Sequence, residues 1–151
     1  MNIKRVSFAE AYDAMYQDML AHWDEVPLGN FDLELDLDTE KYMEAEEAGY
    51  ACYYLVRDDS GQAIAYMSVF ASPMCQHKGL MSAVTDAFYV APEHRDSGVF
   101  AELLEFVEKD LTSCGIDYFT VVHNPRYKGR TALFLEHIGY CKTEVLYTKE
   151  L

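Results

Sequence analysis

Phe8, Tyr12, Met15 and Met19 recur at helical spacing and predict an amphipathic helix over residues 8–20. Ser7 followed by Glu10 is a capping-box signature at its start. Residues 2–7 read as a short strand ahead of it. Pro27 and Gly29 punctuate residues 23–30, which predicts a loop. Asp38 or Thr39 can cap a second helix that stops at Gly49.

The period then changes. Residues 50–57 are rich in aromatic and β-branched side chains, and 63–71 resume the pattern after the turn signal Asp58-Asp59-Ser60-Gly61, so a hairpin is predicted. Residues 73–79 form a loop, and 80–90 a third long strand stopped by Pro92. Val99, Leu103, Phe106, Val107 and Leu111 make the apolar stripe of a helix over 98–111, with Gly115 just past its end. A strand over 116–122, a helix over 127–138 stopped by Gly139, and a final strand over 140–149 complete the chain. The order β-α-α-β-β-β-α-β-α-β is a mixed α/β layout in which a helix directly follows a central strand.

Composition narrows this picture. The 151 residues are half hydrophobic and 14% aromatic, enough for one folded domain over residues 1–151 and against disorder. No apolar run is long enough to span a bilayer, and residues 1–10 lack a signal-peptide layout, so no membrane partner and a cytoplasmic location are expected. Cys52, Cys75, Cys114 and Cys141 read as free, mostly buried thiols. Cys75 and His77 lack the second ligand pair that a metal site needs, so no metal is expected.

The net charge of −14 argues against direct nucleic-acid binding. Residues 1–50 carry 13 Asp or Glu against Lys4, Arg5 and Lys41, whereas Arg126, Lys128 and Arg130 cluster late. Solubility alone accounts for many acidic chains. The sharper reading is an acidic front with a local basic pocket.

The candidate chemistry lies in the unit Asp86 to Val90, a turn over 91–97, and the helix from Gly98. A helix N-terminus offers unsatisfied backbone N–H groups and a positive dipole end, and so can bind phosphate. Gly98 lets a ligand approach the backbone closely, and Arg95 adds a charge. Ser97 has no nucleophile elbow around it and reads as a helix cap whose hydroxyl can also touch phosphate.

This stretch resembles the signature of the GNAT acetyltransferase superfamily, Val-x-Pro-x-x-Arg-x-x-Gly-x-Gly/Ala. It stands here as Val90, Pro92, Arg95 and Gly98, with Phe100 at the last position. The ending Phe134-Leu135-Glu136-His137-Ile138-Gly139-Tyr140 is similar to the family's helix followed by Gly and an aromatic residue. The resemblance implies a mainly antiparallel mixed sheet of about six to seven strands flanked by about four helices. It also implies acetyl transfer from acetyl-CoA to a primary amine. The cofactor turn would be Arg95, Asp96, Ser97, Gly98, Val99, Phe100 and Ala101, with Phe88, Tyr89 and Val90 on the strand holding the acetyl carbonyl and pantetheine arm. Arg130, with Arg126 and Lys128, would meet the adenosine phosphate.

Two residues depart from the family pattern. Phe100 replaces a small residue, so either the phosphate loop sits open or the ring points into the core. Leu135 stands where many members carry a tyrosine that protonates the leaving thiolate; Tyr127, His123 and Tyr89 are candidate substitutes. Asp86 lies where several members carry a catalytic glutamate and is the candidate base. Strand alternation places Asp86, Phe88 and Val90 on one face. The plainer reading of Asp86 is a carboxylate that hydrogen-bonds a neighbouring loop.

In this fold the acidic N-terminal third forms one wall of the acceptor groove, with His22 and Trp23 at its border. That wall would attract a cationic amine: a polyamine, an aminoglycoside-like compound or a lysine of a protein. Two alternatives stay open: a catalytically weak CoA-binding protein of the same fold, or an acidic interaction protein that mimics nucleic acid. Either a monomer or a homodimer fits the sequence.

Overall fold

The computed structural model describes residues 1–25, 33–124 and 131–149. In chain order the elements are β1 (Asn2–Val6), α1 (Phe8–Glu25), α2 (Thr39–Glu47), β2 (Ala51–Arg57), β3 (Ala63–Pro73), β4 (Met81–Val90), a 3-10 turn (Pro92–His94), α3 (Val99–Ser113), β5 (Tyr118–Thr120) and α4 (Thr131–His137). Among the described residues no helix is long and apolar enough to cross a membrane.

The strands lie in the order β1-β2-β3-β4-β5, the first four antiparallel and β5 parallel to β4. Both faces are covered. On one, Tyr54, Met67, Val69 and Val90 pack with Leu103, Leu104 and Val107 of α3 and with Leu135 of α4. On the other, Phe8, Ala11 and Met15 of α1 meet Tyr53, Leu55, Tyr66 and Tyr89. This double coverage is why β2 reads as a near-continuous apolar run rather than an alternating one. Leu103 and Leu104 are fully buried, each contributing about 1.5–3 kcal/mol.

The helix starts follow the sequence. The Glu10 N–H donates to Ser7 Oγ at 3.1 Å, and the Lys41 N–H donates to Asp38 Oδ1 at 3.2 Å. α1 runs further than residue 20, because Met19 and His22 continue the buried face of Met15 at spacings of four and three.

Two expectations about the sheet are corrected. Among the described residues it has five strands, not six to seven, and 140–149 forms none of them. Tyr140 packs on Phe119 at 6.4 Å and donates to Glu108 Oε1 at 2.6 Å. Beyond it Val145, Leu146 and Tyr147 are 62%, 73% and 94% exposed, so the segment has no face to bury. The strand expected over 116–122 contracts to β5 because the Val122 N–H leaves the ladder and donates to Thr85 Oγ1 at 2.8 Å. Of the four cysteines only Cys52 is buried; Cys75, Cys114 and Cys141 lie exposed outside the strands and helices.

Candidate functional site

The ladder between β3 and β4 is regular except at one point. Ala87 pairs with Ser68 and Thr85 with Val69, so Asp86 is an extra residue, a β-bulge. The bulge breaks side-chain alternation. Phe88 and Val90 pack toward α3, while Ala87 and Tyr89 pack toward α1. Asp86 also faces the α1–α2 side, where its Oδ2 accepts from Tyr42 Oη at 3.1 Å and Ser68 Oγ at 3.0 Å. Asp86 therefore does not share a face with Phe88 and Val90 as strict alternation predicts. Its bonding partners belong to α2 and β3, and among the described residues no loop holds it.

Burial, with Asp86 nearby as the next cause, pushes the Tyr42 and Tyr66 hydroxyls far above the ordinary phenol range, so both stay protonated donors. Among the described residues no Lys, Arg or His nitrogen lies within 4.0 Å of the Asp86 carboxylate.

Beyond Asp86, β4 and β5 part. They pair only over Ser82–Val84 against Tyr118–Thr120. The Ala87 and Ala91 N–H groups face β3, donating to Ser68 Oγ and to the Ile64 carbonyl. By alternation the N–H groups of Phe88 and Val90 point to the opposite edge, into the gap where β5 diverges. The Val90 carbonyl on that edge accepts from Arg95 Nε at 2.9 Å.

The turn before α3 is built around Arg95. Its Nη2 donates to both carboxylate oxygens of Glu25, and its guanidinium lies 5.3 Å from the centre of the Tyr89 ring. The Arg95 charge is thus engaged by Glu25 of α1. Gly98 is the N-cap, with φ at +85°, and supplies no side-chain cap. Ser97 is not the cap that the sequence suggests, because its hydroxyl donates to the His94 carbonyl at 2.6 Å. Asp96, Ser97 and Gly98 are exposed, and Val99 is buried. Phe100 packs on Phe88 at 5.0 Å and Phe134 at 5.8 Å, which resolves its two readings in favour of a ring on the core.

These pieces surround one cleft of about 1100 Å³. Asp86, Phe88, Tyr89, Val90, Arg95, Asp96, Gly98, Phe100 and Ala101 all line it, as do His123 and Trp23. Leu135 does not; it is buried in the core, and its neighbour Phe134 faces the cleft instead. Arg126, Tyr127, Lys128 and Arg130 lie outside the described residues. Of the described acids in residues 1–50 only Glu25 lines the cleft.

Sequence reasoning missed one pair. His22 Nδ1 lies 2.8 Å from Tyr66 Oη, and both rings line the cleft beside Tyr89. Burial lowers the His22 pKa; Glu25 opposes this and Arg95 adds to it. With Tyr66 a protonated donor, neutral His22 is the acceptor. Extending the period of Met15 and Met19 by three residues identifies His22.

The comparisons agree with this geometry. The family model for the acetyltransferase (GNAT) family matches residues 6–140. A search of curated proteins returns no match. The fold is similar to that of a ribosomal-protein-alanine N-acetyltransferase from Brucella melitensis biovar Abortus, with a TM-score of 0.71 and 16% identity over 100% of both chains. It is also similar to an aminoglycoside antibiotic 6'-N-acetyltransferase from Acinetobacter haemolyticus, with a TM-score of 0.60 and 20% identity over 100% of this chain and 99% of that one. An aminoglycoside acetyltransferase from an uncultured soil metagenomic sample, in complex with sisomicin, superposes with a TM-score of 0.77 at 10% identity over 99% of this chain and 95% of that one. At these identities the likeness is one of fold. With nine-tenths of its length matched by the family model, and a helix N-terminus capped only by Gly98 after a strand that parts from its neighbour, the chain belongs to the GNAT acetyltransferase family.

Proposed function

We propose that the chain transfers an acetyl group from acetyl-CoA to a primary amine that is cationic in solution, a small molecule or a protein lysine. The observation that carries this reading is the continuity of one cleft from the start of α3, past the gap between β4 and β5, to the Asp86 carboxylate. The residues present fit the cosubstrate. A Cβ built at Gly98 meets nothing within 4 Å, so space is open over the first turn of α3. Its N–H groups, with those of Asp96 and Gly98, would take the pyrophosphate; the Ser97 N–H is already given to the His94 carbonyl.

Acetyl-CoA supplies an activated thioester, whose carbon–sulfur bond breaks as the new carbon–nitrogen bond forms. The N–H groups of Phe88 and Val90 would donate to the carbonyl oxygen as it gains charge. Asp86 would accept the proton that the ammonium must lose before its nitrogen attacks, directly or through water, with Tyr42 and Ser68 fixing its Oδ2. His123 and Tyr89 line the cleft and are the described candidates for returning a proton to the departing thiolate.

Thermal unfolding with and without acetyl-CoA tests the binding half. Ligand at 100 times its Kd adds about 2.7 kcal/mol, and the absence of any shift overturns the reading. Thiol release with an amine panel tests the transfer half. Asp86→Asn should lower kcat by about 10²- to 10⁴-fold; stabilisation without thiol release for any amine would leave a binding protein.

A further inference from the structure

The acids that make the chain so negative mostly do not face the cleft. Glu10 pairs with Arg57, the Glu46 carboxylate accepts from the Phe8 N–H, and Asp38 caps α2. Among the described residues three carboxylates line the cleft: Glu25, Asp86 and Asp96. Glu25 already holds Arg95, and Asp96 belongs to the turn before α3. Among the described residues only Asp86 is left for a cation on the α1–α2 side.

Apart from His22 and Ser68, which are bonded to Tyr66 and Asp86, the described rest of that wall is apolar and aromatic. Half-buried Met19 and Trp23 of α1, Leu35 and Leu37 of the segment before α2, and Tyr42 of α2 all line it. Tyr42 is stacked on Phe8 at 4.9 Å with the rings 7° from parallel, and it is tied to Asp86 by its hydroxyl. The ring is thus fixed with one face on Phe8 and its hydroxyl end at the carboxylate. An ammonium on Asp86 would have an aromatic and aliphatic surface next to it, which favours an apolar body on the same molecule. A second ammonium would meet this surface with no described carboxylate to receive it, at the cost of desolvating an unpaired charge.

From this arrangement we infer that the acceptor is a monoamine carried on a flat apolar or aromatic body, its ammonium on Asp86 and its body against Trp23, Leu35, Leu37 and Tyr42. The inference rests on the acetyl-transfer reading for what happens to the amine but not for the recognition itself. Binding and turnover therefore separate the two.

The probes are 2-phenylethylamine, n-butylamine, spermidine and the neutral 2-phenylethanol, each measured by calorimetry and by acetyl-CoA-dependent thiol release. 2-Phenylethylamine should bind at least about tenfold more tightly than n-butylamine, from burial of the ring, and more tightly than spermidine. Asp86→Asn should weaken 2-phenylethylamine at least about tenfold and leave 2-phenylethanol unchanged, as loss of a charge-assisted bond predicts. Leu37→Ala should weaken 2-phenylethylamine with little effect on n-butylamine. Tighter binding or faster acetylation of spermidine overturns the inference while leaving acetyl transfer intact. Selective binding of 2-phenylethylamine without thiol release supports the inference and overturns acetyl transfer. Binding of none of the amines overturns the inference outright.

Discussion

Nη2 of Arg95 donates to both carboxylate oxygens of Glu25, at 2.9 and 2.8 Å, and so ties the C-terminal end of α1 to the turn that precedes α3. The same guanidinium reaches the Val90 carbonyl through Nε, so three elements meet at one side chain. Arg95→Lys keeps the charge but loses the planar set of donors. The KM for acetyl-CoA should rise by about three- to tenfold, the equivalent of losing one ordinary hydrogen bond, with kcat much less affected. The pair is about one-third exposed on both sides, so Glu25→Gln should lower stability by no more than about 1 kcal/mol. Steady-state kinetics beside thermal melts checks both; an unchanged KM in both variants would mean that the turn holds its shape without the tie.

Gly98→Ala separates backbone strain from ligand access. The residue sits at φ +85°, where a side chain costs about 1–2 kcal/mol. Its Cβ would clash with no neighbour, so the protein should still fold. The added methyl would stand in the space over the first turn of α3, and acetyl-CoA affinity should fall by about tenfold or more, beyond what the strain accounts for. Calorimetric Kd values compared with the shift in Tm decide the point.

Asp96 is exposed on the cleft wall at the approach to α3. Its charge favours the helix start but repels an incoming anion. Asp96→Asn should therefore lower the KM for acetyl-CoA by about two- to fivefold at low salt and lose that advantage near 0.5 M salt, where screening dominates. A small loss of stability should accompany it. A raised KM would assign the carboxylate a positive role in holding the cosubstrate.

His22 makes stability depend on pH. Burial depresses its folded pKa below the ordinary 6.5, so folding favours the neutral ring. The contribution is fully present above 6.5 and is lost as pH falls through the depressed value, because the charged ring is buried and cannot accept from Tyr66. His22→Gln keeps a hydrogen-bonding group without titrating. Its Tm should fall less steeply than that of wild type as pH drops below 6.5. Parallel curves would remove His22 from the acid sensitivity.

The elements whose signals are local were legible in the sequence. The apolar stripe of Val99, Leu103, Val107 and Leu111 and the Asp58–Gly61 turn needed only near neighbours to be understood. So did the order of Val90, Pro92, Arg95 and Gly98. What was not legible depends on partners distant in the chain. Asp86 was found as a candidate, but its face was not, because a bulge is set by how β3 and β4 register and a single extra residue leaves no periodic mark. The engagement of Arg95 by Glu25 joins residues 70 apart. The strand expected over 140–149 has the right residue types, yet strand formation also needs an edge and a buried face, which residue types alone do not supply.

The bulge at Asp86 makes β4 a two-sided strand with its phase switched midway. Below it, Ala83 packs toward α3; above it, Phe88 and Val90 return to that layer, while the carboxylate looks out the other way. Two layers that border one cleft are thus served by Asp86 and Phe88, residues two apart that plain alternation would have put on the same face. Deleting Asp86 would restore plain alternation and keep Phe88 and Val90 on the α3 layer, but it would remove the carboxylate from the cleft altogether. For comparisons within the family, gaps or insertions at this position therefore carry more functional weight than substitutions around it.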